Sequence, residues 1–255
     1  TYEEAYFLVL RSLKLNFEDS DRFWDARVSN AELKMLLERI EKRAVEKIPT
    51  PYLLQEAWLI DHPFYCDERV IIPRSYIAEL LKDELAPWVS NPENVTRVLD
   101  LCTGSGCLGI IAAEVFPNAK VDCVDISQDA LDVAKINVER YGMQDRIELI
   151  KSDLFNELGD RQYDVIISNP PYVTQEAMDN LPGEYRHEPA LALGAGDDGL
   201  VTDSKAHLTN RGVMVVEVGD GKDACEAVYP KVPFTWLATE NEDAMVYLLR
   251  KDELP

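Results

Sequence analysis

VLDLCTGSGCLG, residues 98–109, decides the fold. An apolar run reaches Asp100 and Leu101, and Gly104, Gly106 and Gly109 then match G-x-G-x-x-G between a strand and a helix. Glycines at this spacing allow a tight turn, let a ligand approach the backbone, and lead into a helix whose free N–H groups suit an anion. Alone the motif is weak, since several dinucleotide folds use such loops and a bare tight turn would read alike. Working outward, strands and helices alternate. The pattern predicts strands over 95–101, 119–126, 146–153, 163–169 and 212–219, and helices over 107–116 and 127–142. Ser127 reads as an N-cap and Gly142 as the helix stop. Segments 234–240 and 244–251 read as a closing antiparallel pair. Alternation of this kind implies an α/β fold with a mostly parallel sheet covered on both faces. One span is short: about ten residues separate Gly199 from the strand at Gly212, where a crossover usually needs a dozen or more. The expectation there is a truncated helix or a missing loop.

Upstream, residues 1–51 read as a small helical domain. Ser29 and Glu32 form a capping-box pattern, and Leu33, Leu36, Leu37 and Ile40 follow as one apolar stripe. Pro49 and Pro51 are expected to stop that helix. Residues 52–90 form a linker, with two short strands around a polar turn and then a helix after Pro73-Arg74. Residues 91–255 are the main domain. Trp24, Trp58, Trp88 and Trp236 read as core or interface residues.

The chain has 255 residues, of which 46% are hydrophobic, enough for a sizeable core. No run approaches the ~20 apolar residues of a membrane span. The opening TYEEAYFLVLRSLK does not resemble a signal peptide, and the closing KDELP reads as a coincidence. Cys66, Cys102, Cys107, Cys123 and Cys225 include no C-x-x-C pair, so reduced cysteines and a cytoplasmic location are expected, with no zinc site. Formal net charge is −21. Residues 1–50 hold nine basic and ten acidic residues, leaving 17 basic and 37 acidic beyond them. That balance keeps a protein soluble, repels a phosphate backbone and attracts a basic partner.

Four strand ends carry chemistry. Asp100 suits the ammonium of a methionine moiety and would be a poor neighbour for a pyrophosphate. Asp125 lies 19 residues after Gly106, where a carboxylate can accept from both ribose hydroxyls; a helix-capping role is the alternative. Asp153 can accept from an adenine amino group and Leu154 can pack on the ring, although Asp153 also fits a solvated loop. After the fourth strand comes SNPPYV, residues 168–173. Two prolines fix two φ angles and remove two donors. Asn169 offers a side-chain carbonyl and Pro170 a backbone carbonyl, so a stiff loop presents two acceptors to one NH2 group. An amide or exocyclic amine held so is kept in place, and its lone pair is turned toward an electrophile such as a sulfonium methyl. Tyr172 can pack on the flat group. His62 and His207 stand alone with no ligand-spaced partners, so no metal is expected; His187 in YRHEP is imaginable as a catalytic base, but the product can lose its proton to water, so His187 reads as structural.

DLCTGSG, VDIS, SDLF and SNPPYV, with IPRS at 72–75, EYRHEPALAL at 184–193 and DGL at 198–200, resemble the S-adenosylmethionine-dependent N(5)-glutamine methyltransferases over nearly the whole chain. The resemblance implies a Rossmann-like class I AdoMet-dependent methyltransferase with a small N-terminal helical domain for substrate recognition. It implies S-adenosylmethionine as methyl donor and S-adenosylhomocysteine as product. Asp100, Cys102, Thr103, Gly104, Ser105, Gly106, Asp125, Ile126, Asp153, Leu154 and Asn169 would contact the cofactor. Asn169, Pro170, Pro171 and Tyr172 would bind the target amide, with Asn169, Pro170 and Tyr172 catalytic. DERVIIPRS, EYRHEPAL and PFTWL are similar to the branch acting on the basic large-subunit ribosomal protein three. The branch acting on class I release factors is the nearest alternative. A DNA adenine-N6 methyltransferase shares the Asn-Pro-Pro-Tyr motif but is disfavoured by the acidic surface, and an AdoMet-binding module without turnover is the non-enzyme reading. Gly194-Ala195-Gly196-Asp197, in place of the usual paired glycine before DGL, and the short 201–210 span are departures.

Overall fold

The computed structural model describes residues 2–16, 18, 20–171, 187–189, 199–239 and 243–255. The chain opens with helices α1 (Tyr2–Ser12), α2 (Ser20–Phe23), α3 (Asn30–Ala44) and α4 (Thr50–Leu54). The capping box is formed: Glu32 N donates to Ser29 Oγ, and Ser29 N donates to Glu32 Oε2. The α3 stripe is mostly uncovered. Leu36 is buried, whereas Leu33, Leu37 and Ile40 are exposed. Periodicity reveals a face but not what lies against it. The prolines start a helix here instead of ending one: α3 stops at Ala44, and Pro51 sits in the first turn of α4, where its missing N–H costs nothing. Arg43 and Thr50 both donate to Glu4, and Arg11 forks onto Glu56, joining the helices to one another and to the linker. Of the tryptophans, Trp88 and Trp236 pack against the cores. Trp24 and Trp58 are exposed, so they are not core residues.

The linker hairpin pairs β1 (Ala57–Leu59) with β2 (His62–Phe64), and α5 (Ile77–Lys82) follows. The chain then gives β3 (Arg97–Leu101), α6 (Cys107–Val115), β4 (Lys120–Asp125), α7 (Gln128–Arg140), β5 (Ile147–Lys151) and β6 (Tyr163–Ser168). It ends with α8 (Leu200–His207), β7 (Leu208–Glu217), α9 (Lys222–Val228), β8 (Thr235–Ala238) and β9 (Asp243–Arg250). Among the described residues seven strands form one sheet in the order β5-β4-β3-β6-β7-β9-β8. The first five are parallel, and β9 runs antiparallel to both β7 and β8.

Alternate side chains build two cores, one on each face. Val98, Val165, Ile167, Val213, Val215, Val246 and Leu248 enter the core beneath α5 and α6. Leu99, Leu101, Ile166, Met214, Val216, Tyr247 and Leu249 enter the other, with Leu200 and Val201 of α8. Burial on both faces explains why these strands read as unbroken apolar runs.

The short crossover is a truncated helix. α8 has eight residues and passes directly into β7. The register shifts in the strand: Tyr163 pairs with Leu208 but Val165 with Val213, so 209–212 stand opposite Asp164 as a bulge. A Cβ on Gly212 would lie 2.8 Å from Tyr163 O, which restricts the bulge to glycine there.

Candidate active site at the sheet switch point

Strand order reverses between β3 and β6. In open α/β sheets ligands bind beyond the carboxyl ends of strands at such a point. Leu101 and Ser168 are register partners at the last rung, and Ser168 Oγ donates to Leu101 O at 3.0 Å. The glycine loop and the Asn-Pro-Pro loop therefore leave the sheet side by side.

The glycine loop is fixed from below by carboxylates. Asp100 Oδ2 accepts from Thr103 Oγ1 at 2.5 Å and from Gly109 N at 2.9 Å. Asp100 is 1% exposed, and its Oδ1 has no hydrogen-bond partner among the described residues. The structure thus gives Asp100 a scaffolding task that its position in the sequence did not reveal, with one oxygen left over. Asp125 accepts from Gly104 N and Ser127 N, both at 2.9 Å. It joins the loop to the start of α7, so the capping alternative is realised in part. A carboxylate has about four lone-pair sites, so two bonds leave capacity for a ligand hydroxyl.

Gly104 and Gly106 take φ of 54° and 78°, the left-handed region that glycine tolerates. A Cβ on Gly104 would meet nothing within 4 Å, whereas one on Gly106 would press on Ala134 of α7. The first glycine borders open space and the second borders protein. Cys102 and Leu154 also have positive φ, at 58° and 46°. These two follow β3 and β5 at the carboxyl edge of the sheet; Lys14, Lys47, Gln55, Ile60, Glu84 and Leu85 share the conformation elsewhere in the chain. Burial pushes the Cys102 thiol up to about 12, so it is a neutral wall and not a nucleophile. Ser105 and Thr103 are buried, while Ile126 and Asp153 are exposed at the rim.

Asn169 is half-buried and polarised. Its Nδ2 donates to Arg74 O at 3.1 Å, and its Oδ1 is buried with no partner among the described residues. Pro170 and Pro171 are half-buried beside it. Tyr172 lies outside the described residues, as do 184–186 and 190–193 of the EYRHEPALAL segment.

Several residues that the sequence left without a role gather here. Arg74 of IPRS forks onto Glu188 at 2.9 and 2.7 Å. Ser75 Oγ and Tyr76 N both donate to Glu217 Oε2, at 2.5 and 3.0 Å. Asn137 of α7, fully buried, donates to Ser105 O and to Tyr65 O and accepts from Tyr65 N. It holds the glycine loop against the linker. IPRS and HEPAL are the sequence signal for Arg74, Ser75 and Glu188; Tyr76 and Glu217 have none. Asn137 had none beyond its place in a helix. His187 contacts Glu46 O at 3.1 Å, a structural bond to the segment after α3. Among the described residues no three His, Cys, Asp or Glu side chains gather as a metal site, and no helix is long and apolar enough to cross a membrane.

Burial raises Asp100 from 3.8 to about 7, against the pull of Thr103 and Gly109. A carboxyl that holds its proton more tightly when folded loses stability as pH rises from 3.8 toward about 7. Asp125 and Glu217, also raised by burial, add to the same slope. Their share of the melting temperature is therefore expected to fall with pH across that window, while Glu4, Glu56 and Asp67, held low by Arg43, Arg11 and Arg69, act in the opposite sense at its acid end. Asp100→Asn, which cannot ionise, should flatten the fall, and a slope as steep as that of the parent chain would exonerate Asp100.

The family profile described as Methyltransferase small domain matches residues 79–185. The ribosomal protein uL3 glutamine methyltransferase of Neisseria meningitidis serogroup A is 49% identical over 259 residues, spanning 99% of this chain and 85% of that one. Its counterpart from Burkholderia pseudomallei is 47% identical over 267 residues, spanning 100% and 87%. Among solved structures, the hMettl16 catalytic domain in complex with MAT2A 3'UTR hairpin 1 superposes with a TM-score of 0.55 at 16% identity, covering 97% of this chain and 92% of that one. That likeness supports the methyltransferase fold alone. Identity near one half, sustained from the N-terminal helices through the switch-point site, makes this chain a member of the ribosomal protein uL3 glutamine methyltransferase family.

Proposed function

We propose that the protein transfers a methyl group from S-adenosylmethionine to the side-chain amide nitrogen of a glutamine in ribosomal protein uL3. The observation that carries this reading is the Asn169 side chain. Its NH2 end is tethered to Arg74 O, and its buried oxygen has no partner among the described residues. A desolvated acceptor without a donor costs roughly 1–3 kcal/mol, a cost that a ligand N–H removes. A glutamine amide brings two such hydrogens, and the Pro170 carbonyl is the natural second acceptor. The kinship with uL3 methyltransferases supports the protein substrate, and so does a net charge of −21, which favours a basic partner.

The residues present fit the methyl donor. Open space beside Gly104, an Asp100 Oδ1 without a partner among the described residues and the residual acceptor capacity of Asp125 line one sheet edge. Asp100 would face the amino group, Asp125 the ribose hydroxyls, and Leu154 with Asp153 the base. Cys102, Thr103, Ser105 and Ile126 would complete the wall. S-adenosylmethionine supplies an electrophilic methyl carbon on a sulfonium. The protein supplies orientation: Asn169 Oδ1 and the Pro170 carbonyl accept from the amide hydrogens, turn the nitrogen lone pair out of conjugation, and stabilise the positive charge that develops there. The surplus proton can pass to water, so no base is required, in keeping with the structural bond made by His187.

Radiolabelled methyl transfer to purified uL3 and to a class I release factor, side by side, tests the assignment. Label on a uL3 glutamine, located by mass spectrometry, is the expected result; label on the release factor alone would overturn it. For the cofactor half of the site, Asp125→Ala should weaken S-adenosylhomocysteine binding about tenfold or more, given the loss of charged hydrogen bonds worth ~1.5–3 kcal/mol. Unchanged affinity by calorimetry would remove Asp125 from the site.

A further inference from the structure

We infer that Arg74 and Glu188 form a positioning pair that fixes which end of the Asn169 amide faces the target nitrogen. The inference rests on the reading of Asn169 as the clamp of that nitrogen. A side-chain amide is nearly symmetric in shape, so packing alone does not choose between its two ends. Flipped, Asn169 would present an NH2 group to another NH2 group, and the clamp would repel its substrate. The Nδ2 bond to Arg74 O selects the working orientation.

The position of that carbonyl is itself determined. The guanidinium of Arg74 makes a two-pronged bond to Glu188, whose side chain is 3% exposed. The next two residues, Ser75 and Tyr76, are held by Glu217, which is 3% exposed at the end of β7. Glu188 follows His187, which is bonded to Glu46 O beyond α3. The residue that carries this carbonyl is thus anchored by its own side chain to one buried carboxylate and through the next two residues to another. One of these carboxylates is connected to the N-terminal helices. Bidentate guanidinium–carboxylate geometry fixes direction as well as distance, which a single lysine ammonium would not reproduce.

The test compares Arg74→Lys and Glu188→Gln with Asn169→Ala, using purified uL3 as acceptor. Both conservative variants keep the volume of the pair, so folding, followed by thermal melting, should survive. Each should lower kcat about tenfold, as a displaced reacting group does, with KM for S-adenosylmethionine and calorimetric affinity for S-adenosylhomocysteine within about twofold of the parent. Added to Asn169→Ala, neither should lower kcat further, because the pair acts through Asn169. The Asn169 side-chain NH2 resonances, assigned by their loss in Asn169→Ala, should shift in both variants. Four results would overturn the pair: normal kcat in both variants, a loss that multiplies on top of Asn169→Ala, unshifted NH2 resonances, or a much weaker affinity for S-adenosylhomocysteine. The clamp reading fails separately, through near-normal kcat in Asn169→Ala itself. Should the variants bind S-adenosylhomocysteine much more weakly, the pair shapes the cofactor cleft and the inference is wrong.

Discussion

Asn169→Ala is expected to lower kcat by roughly 10²-fold or more while leaving the fold and the melting temperature close to those of the parent chain, the scale seen when one oriented polar group is removed at a reacting centre. The change deletes the buried oxygen that has no partner among the described residues and the NH2 bond to Arg74 O. It leaves intact the Ser168 bond to Leu101 O and the two prolines, so the loop keeps its course. On the proposed reading the target amide donates two ordinary hydrogen bonds in the ground state. As the nitrogen becomes alkylated it gains positive charge, and both bonds strengthen. An interaction that strengthens on the way to the transition state acts on kcat more than on KM. Asn169→Asp is the informative companion. It restores an acceptor but places a second oxygen against the Arg74 carbonyl, and the repulsion should turn the carboxylate away. Single-turnover rates with saturating uL3 separate these effects from binding. An alanine variant that turns over at near-normal speed would take Asn169 out of the chemistry.

What the sequence disclosed and what it concealed follow from the range of the interactions. The capping box at Ser29, the cap at Ser127 and the alternating strands around residues 98–168 are local, and each forms where the residues predict it. The position of Asn169 beside the glycine loop was legible because strand order in a doubly wound sheet brings those ends together. The direction of its amide was not, because it depends on a carbonyl 95 positions away. Arg74 and Glu188 are 114 positions apart, and nothing in a single sequence pairs them. Asp100 was read as a ligand for an ammonium because its place at the strand end is visible. The return of Thr103 and Gly109 onto its Oδ2 is visible only in the folded loop. Leu33, Leu37, Ile40 and Trp24 mark the opposite limit: apolar residues imply burial only where a partner face exists, and here they stay exposed.

The last of the three glycines carries the second large effect. Gly109 opens the first turn of α6 and faces β3 and β4, and a Cβ there would stand 2.3 Å from Cys123 Sγ and 3.1 Å from Asp100 Oδ2. Cys123 is fully buried, so its sulfur has no free space to enter. Gly109→Ala is expected to destabilise the fold by roughly 1–3 kcal/mol, the usual scale of overpacking, which for a chain of this size is about 2–4 °C of melting temperature per kcal/mol. The same displacement stretches the Gly109 N bond to Asp100 Oδ2, now 2.9 Å, and that carboxylate also holds Thr103 at the start of the loop. Affinity for S-adenosylhomocysteine should fall with stability. Cys123→Ala distinguishes crowding from helix propensity, since alanine is the better helix former at 109 and would otherwise stabilise. Alone, Cys123→Ala leaves a small void costing about 1 kcal/mol. Combined with Gly109→Ala it vacates the volume that the new methyl group needs. The double variant should then melt above Gly109→Ala alone and recover part of the lost affinity, a coupling of opposite sign to either single change. Simple addition of the two losses would mean that Gly109 is required for some reason other than the close approach of α6 to the sheet, and the link from helix packing through Asp100 to the glycine loop would be broken at its first step.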